Sequence, residues 1–374
     1  MAEIIVKEVI TRKELRKFIY LPSEVHRNES KWLPPIFTDE WHLFDKKKNR
    51  SYQYADTIFF LAYKGKKPVG RIMGLVNNRY NSIKEEKHGR FCFLECYNDQ
   101  EVVHALLKAV EDWVKSKGMI KIVGPLGFSD KDPQGLQIEG FEYPQLFTAA
   151  TNSSYLPLMM EPEGYTKEVD LVNYNIPMPE QMPALYMKAY DRVSKGGEYE
   201  VIEFRTKKEI KPYIIPVLEL MNHTFSEIYG FVPLNDKEKE EFANRYLPII
   251  EPEFIKVVRS GNDLVGFVIA LPDMTPGIIA ARGRLFPFGI FIILREMKKS
   301  KKMMLMLGGI RKEFRGQGID VLMAIRMWNS ARKKKMNLVD SHLILENNLR
   351  MRAECERLDG KVIKKFRIYQ KVLQ

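Results

Sequence analysis

In the stretch GGIRKEFRGQGIDVLMAIRMWNSARKKK, residues 308–335, Gly316 and Gly318 separate an apolar run from a long amphipathic segment. Apolar residues at 319, 321, 322, 325 and 328 predict a helix with one buried stripe. A helix N-terminus offers unpaired amides and a partial positive charge. Glycines there remove the β-carbons that would hold an anion away from those amides. Arg311 and Arg315 add positive charge at the rim. The combination suits a pyrophosphate held by Ile310, Arg311, Arg315, Gly316, Gln317, Gly318 and Ile319. Glycines at a strand-to-helix turn also serve close packing, so a lone G-x-G does not define the ligand.

The turn must be held by a substantial fold. The chain has 374 residues, 45% apolar and 11% aromatic, which suits two domains with real cores. Cys92, Cys96 and Cys355 are too few for a disulfide framework and fit a reducing compartment. The C-x3-C pair has no partner pair or histidine cluster, so no metal site is expected. Charges run through the first 20 residues, unlike a secretory leader. The longest uncharged apolar run, LFPFGIFIIL at 285–294, is ten residues, against roughly 20 for a membrane-spanning helix. A soluble, cytoplasmic protein is the expectation. The net charge of +12 is scattered, with small clusters at 46–48, 298–302 and 333–335, and no nucleic-acid recognition motif accompanies it.

The pattern of elements is α+β and occurs twice. TIFFLAYKGKKPVGRIMGLVNN (57–78) reads as a hairpin, followed by the strand RFCFLECY, a helix from Asn98 or Asp99 to Gly118, and the strand IKIVGP. GYTKEVDLVNYNIP gives a late strand. Pro177, Pro179 and Pro183 then break the chain. EFIKVVRSGNDLVGFVIALPDM is a second hairpin, followed by the strand KMMLMLGGI, the helix 318–335, the strand LVDSHLIL, the helix 347–358 and a last strand. The shared order predicts a duplicated fold, residues 1–178 and 179–374, each a mixed, mostly antiparallel sheet flanked by helices.

At this point FRGQGI resembles the acyl-CoA signature of the GCN5-related N-acetyltransferases, Q/R-x-x-G-x-G/A, with Arg315 first and Gly318 central. Asp320 stands where that family has glycine or alanine. LILENNLRMRAECERLDG resembles the family's next block, in which an asparagine bonds the pantetheine arm or acyl group; Asn347 or Asn348 matches it. The tyrosine that in the family protonates the departing thiolate falls on Cys355, with Arg352 and Glu356 beside it. FCFLECYNDQEVVHALL holds the equivalent place in the first half. It has no glycine and carries Glu95 and Asp99, so no acyl-CoA is expected there. The whole chain resembles bacterial tandem members of this superfamily, which share GPLGFSDKDPQGLQIEGF, residues 124–141.

The resemblance implies an acyl-CoA-dependent N-acyltransferase acting from the second half, transferring acetyl to an amine of a small molecule or peptide. Pantetheine would lie along 303–310, set apart from 338–345, with Gly308 and Gly309 easing its approach. Glu346 is the candidate base, although it equally suits a helix cap, and water can take its place. Cys355 and Tyr369 are candidate acids, both also natural packing residues. His223 and Tyr229 fall in the helix-loop region that lines acceptor sites. Two other readings stay open: a catalytically silent CoA-binding or interaction module, and an aminoacyl-tRNA-dependent transferase. SDKDPQG, 129–135, lacks the spacing of an EF-hand and reads as an ordered loop. The segment 274–302, with Arg282 and Arg284 before its apolar run, suits a lid, a membrane face or, as the expectation here, a packed helical hairpin.

Overall fold

The structure is a computed structural model that describes residues 3–30 and 32–374. The first elements are β1 (Ile4–Glu8), α1 (Arg12–Val25), α2 (Phe37–Leu43), β2 (Ala55–Lys64), β3 (Lys67–Asn77), α3 (Asn78–Lys84), β4 (His88–Cys96) and α4 (Gln100–Ser116). They are followed by β5 (Lys121–Gly124), β6 (Leu136–Glu139), β7 (Thr166–Pro177), α5 (Ala184–Gly196), β8 (Glu200–Glu203), α6 (Lys207–Ile210) and α7 (Ile214–Thr224). Next come α8 (Asp236–Tyr246), β9 (Ile255–Ser260), β10 (Asp263–Pro272), α9 (Thr275–Ala280), α10 (Gly289–Lys299) and β11 (Lys302–Ile310). The last are α11 (Ile319–Lys333), β12 (Leu338–Asp340), β13 (Ile344–Leu345), α12 (Leu349–Arg357) and β14 (Lys361–Val372).

The chain divides into two compact units that interleave in sequence. Unit 1 comprises Met1–Val172, Thr275–Ile293 and Ile363–Gln374; unit 2 comprises Asn173–Met274 and Leu294–Val362. The chain first passes from unit 1 to unit 2 at Val172/Asn173, and Thr275–Ile293 and Ile363–Gln374 return to unit 1.

In unit 1 the strand order is β1-β2-β3-β4-β5-β14-β7. Neighbours from β1 to β4 pair antiparallel, as do β5 and β14, whereas β4 and β5 run parallel over three residues, His88–Arg90 against Lys121–Val123. One face packs on α4 through Val102, Leu106, Val110 and Val114; the other packs on α1 and α2 through Phe18, Phe37 and Phe44. Helix α1 starts in a capping box: Thr11 Oγ1 accepts from the Glu14 amide at 3.2 Å, and the Glu14 carboxylate accepts from the Thr11 amide at 2.8 Å. In β4, three steps from Cys92 to Glu95 oppose two steps of β3, and Phe93 takes a φ of +53°. This bulge inverts the pleat, so Cys92 and Cys96 enter different cores on opposite faces. All three cysteines are free and buried.

Unit 2 repeats the plan. Asn175–Pro177 of β7 pair with β12, and the order continues β12-β11-β10-β9-β8. The β9–β10 hairpin is antiparallel, turning at Gly261, and β11 again runs parallel to its neighbour for three residues, Lys302–Met304 against Leu338–Asp340. The register of β11 against β10 passes from Met304 and Leu305 to Leu307, leaving Met306 as the extra residue of a bulge. Val217, Leu218 and Met221 of α7 cover one face with Val257 and Phe267, while Ile319 and Met323 of α11 cover the other with Val258 and Val265. A fold of α+β class, built twice on the same pairing scheme, follows directly.

One local expectation is corrected. LVDSHLIL is not one strand: it breaks at Ser341–Leu343 into β12 and β13, because Ser341 turns to β7, exchanging bonds with the Tyr174 backbone at 2.8 Å. The segment 274–302 forms α9 and α10, with Ile278, Ile293 and Met297 buried as a packed hairpin requires. Phe286, Phe288 and Phe291, however, stand in solvent.

Candidate functional site

In unit 2, β11 and β12 part company after three paired residues. From Leu305 to Ile310 the edge of β11 that faced β12 has no ladder partner among the described residues, while its other edge stays paired with β10. A strand edge so exposed presents amides and carbonyls to any extended ligand. The cause lies in the bulge at Met306, which bends the strand, and in the early end of β12. The two glycines of this edge differ. Gly308 is exposed, with no atom closer than 3.5 Å to the place of a β-carbon, whereas at Gly309 that carbon would lie 2.5 Å from Thr224 Oγ1 on α7. Gly308 thus leaves room for a ligand, and Gly309 serves close packing.

The root of the fork is ionic. Lys302 lies 2.9 Å from both Asp273 and Asp340, and Asn175 Nδ2 donates to Asp340 Oδ1 at 2.6 Å. Burial works against the lysine charge, but the two carboxylates outweigh it and the ammonium is held above its ordinary range.

Beyond β11 comes the turn. Residues Lys312–Phe314 make one 3₁₀ turn, and Gly316 and Gly318 take φ of +80° and +87°. Gly318 is the N-cap of α11 and supplies no side chain to its first amides. At Gly316 nothing lies within 4 Å of an added β-carbon; at Gly318 it would meet Val193 Cγ2 at 2.6 Å. Gln317 braces the loop: its Nε2 donates to the Glu313 carbonyl at 2.8 Å, and Tyr199 donates to its side-chain oxygen. Arg315 is exposed, with Nε on the Ile310 carbonyl at 3.1 Å, and Arg311 is half-buried. Ile319 is fully buried on β10. Ile310 to Ile319 are thereby brought together at a helix N-terminus that no side chain caps, with Arg311 and Arg315 beside it. Asp320 sits in the first turn of α11, where a carboxylate is favourable, and its field is felt by Tyr186 of α5.

The catalytic candidates are dispersed. Glu346 is half-buried at the end of β13, and its carbonyl accepts from Arg352 Nη1 at 3.0 Å. Asn348 caps α12 through its side-chain oxygen, 3.2 Å from the Met351 amide, which leaves the exposed Asn347 as the freer amide. Cys355 is buried on α12, and burial, aided by Glu354 and Glu356, pushes its thiol up to about 12. Tyr369 belongs to unit 1: it pairs with Gly124, sits in the α4-side core, and burial pushes its phenol up to about 12. His223 is exposed at the end of α7 and Tyr229 half-buried in the loop after it. Asn222 clasps that loop, bonding the Leu234 carbonyl at 2.7 Å and its amide at 2.9 Å.

Tyr174 escaped the sequence reading. Its hydroxyl donates to Glu356 at 2.5 Å and accepts from Arg352 Nε at 3.0 Å, which ties β7 to α12 beside Glu346. It lies 178 residues from Arg352 in the chain, and no local pattern links them. In unit 1 the corresponding turn is closed. Asp99 caps α4 by accepting from the Val102 amide and is itself paired with Lys64. Among the described residues no group of acidic, histidine and cysteine side chains could hold a metal ion, and no helix is long and apolar enough to cross a membrane.

Both units share the sheet with a bulged strand and a briefly paired parallel neighbour, the glycine turn belongs to unit 2 alone, and the fold is that of solved GCN5-related N-acetyltransferases. A tandem GNAT protein from the clavulanic acid biosynthesis pathway, solved without AcCoA, superposes over 100% of this chain and 99% of its own, with a TM-score of 0.57 and 11% identity. The chain is similar to the bacterial ceramide synthase of Caulobacter vibrioides, 26% identical over 381 residues, covering 100% of this chain and 98% of that protein. Protein YghO of Escherichia coli is 26% identical over 380 residues, covering 98% and 95%. No family model matches the sequence.

Proposed function

We propose that the chain is an acyl-CoA-dependent N-acyltransferase working from unit 2. The observation that carries this is the bare glycine turn at the end of the free β11 edge. The amides after Gly318, with Arg311 and Arg315, would take the diphosphate of the donor. The edge from Leu305 to Ile310 would pair with its pantetheine amides, and Asn347 would bond the arm near the fork. Acyl transfer to an amine needs a proton taken from the nitrogen and one returned to the departing sulfur. Glu346, directly or through water, is our candidate for the first. Cys355 and Tyr369, each with its proton held to about 12, are poorly matched to the second, which we assign to solvent. Acetyl was the acyl group implied by the family. A relative named as a ceramide synthase, similar along the whole chain, favours a fatty acyl group and a long-chain amino alcohol instead, since a ceramide is the amide of those two.

Thiol release with acetyl-CoA and palmitoyl-CoA, each with and without a long-chain amino alcohol, tests this. Release is expected only when donor and amine are both present, faster with palmitoyl-CoA, with the amide seen by mass spectrometry. Donor binding without turnover would support the silent module, which the buried cysteine at the family's tyrosine position favours. No donor binding together with a gel shift of transfer RNA would support the aminoacyl-tRNA reading. Cys355→Ala is expected to change the rate less than about twofold near neutral pH, since the thiol is buried on α12 and its raised pKa makes it a weak proton donor. A collapse of the pH profile in that variant would reinstate the thiol as a catalyst.

A further inference from the structure

The turn between α9 and α10 exposes apolar surface that its own unit leaves uncovered. Phe286 is 85%, Phe288 70% and Phe291 67% solvent-exposed, with Ile292 beside them at 36%. Single exposed hydrophobics are ordinary; four bulky ones within seven residues are not. They are presented on a built support. Phe37 N donates to the Gly283 carbonyl at 2.9 Å, Ile290 N to Leu285 at 2.9 Å, and Phe291 N to Phe288 at 3.1 Å. Gly283, at a φ of +68°, packs so closely that a β-carbon would reach 2.1 Å from the Pro35 carbonyl. In α10, Gly289, Ile293 and Met297 recur every four residues and face inward, while Ile292, Arg295 and Lys299 take the outer side, with Phe288 exposed just before the helix.

Charge says what covers this face. Between 282 and 299 stand Arg282, Arg284, Arg295, Lys298 and Lys299 against one acid, Glu296, which Lys299 already holds at 2.7 Å. All five cations except Lys299 are left without an acidic partner in this stretch, and all five are exposed. Aromatic tips flanked on both sides by exposed cations match the interface of an anionic bilayer, where rings enter the headgroup layer and cations meet phosphates. We propose that residues 282–299 form a peripheral docking surface for anionic membranes, whatever reaction unit 2 performs.

Flotation of the full chain with phosphatidylglycerol–phosphatidylcholine vesicles, against phosphatidylcholine alone, tests it. Binding is expected to the first and to weaken with added salt. The triple variant Phe286→Ser, Phe288→Ser, Phe291→Ser should lose about 100-fold in partitioning, and Arg282→Glu with Arg284→Glu about tenfold, both with an unchanged melting temperature. No flotation of the native chain, or equal binding by the triple variant, overturns the proposal. A triple variant that changes the sedimentation coefficient without lipid also overturns it, since the face would then be a contact between copies.

Discussion

Replacing Gly318 with leucine is expected to weaken coenzyme A binding by about 100-fold, read by isothermal titration. Two charge-assisted hydrogen bonds from helix amides, at about 1.5 kcal/mol each, correspond to that factor. Two features of the position make the loss specific. Its φ of +87° is left-handed, which costs a residue bearing a β-carbon roughly 1–2 kcal/mol. The new carbon would also lie 2.6 Å from Val193 Cγ2 on α5, so the turn and α5 must move apart, and the longer leucine side chain adds bulk beside the first amides of α11. Gly316→Ala is the control. That residue shares the left-handed backbone, φ +80°, but has open space around it. It should lose about 1 kcal/mol of stability and far less affinity. Should Gly318→Leu bind coenzyme A as tightly as the native chain while keeping its helical circular dichroism, the diphosphate does not sit at this turn.

Lys302→Met is expected to destabilise unit 2 by about 3–5 kcal/mol in urea denaturation. The lysine is the common partner of Asp273 and Asp340, both buried, and its removal takes one ion pair of 2.9 Å from each carboxylate. The sign with pH is set by the raised ammonium. A lysine whose folded value lies above its unfolded one contributes fully below the unfolded value, about 10.4, and loses that contribution as pH rises through the folded one. Native and variant chains should therefore differ from neutral pH up to about 10 and converge only in stronger alkali. Because the trio anchors the point where β11 and β12 part, acyl transfer should fall with stability. An unchanged urea midpoint would mean that the two aspartates are hydrated or paired elsewhere.

Much of the fold was written locally. The two hairpins turn at Gly65 and Gly261, where the sequence places glycine between apolar runs. The helices α1 and α4 begin after Thr11 and Asp99, residues whose side chains accept from helix amides three positions on. The turn at 311–319 was legible for the same reason, since a left-handed glycine opening a helix is a property of a few neighbouring residues. The catalytic candidates were not. Cys355, for which the string offered both an acid and a packing role, is buried, and Asn348 caps a helix. Tyr174 looked like an ordinary strand residue of the first half, yet meets Arg352 and Glu356.

The amino-acid order alone determined periodicity, caps, turn glycines and charge, because each is decided within one or two turns of the chain. Only tertiary structure decided where a strand stops pairing, which tyrosine reaches which helix, that β14 joins the first unit, and that Phe286, Phe288 and Phe291 stay wet. Those outcomes depend on which distant segment wins each sheet edge and each apolar face. That competition leaves no mark on local spacing.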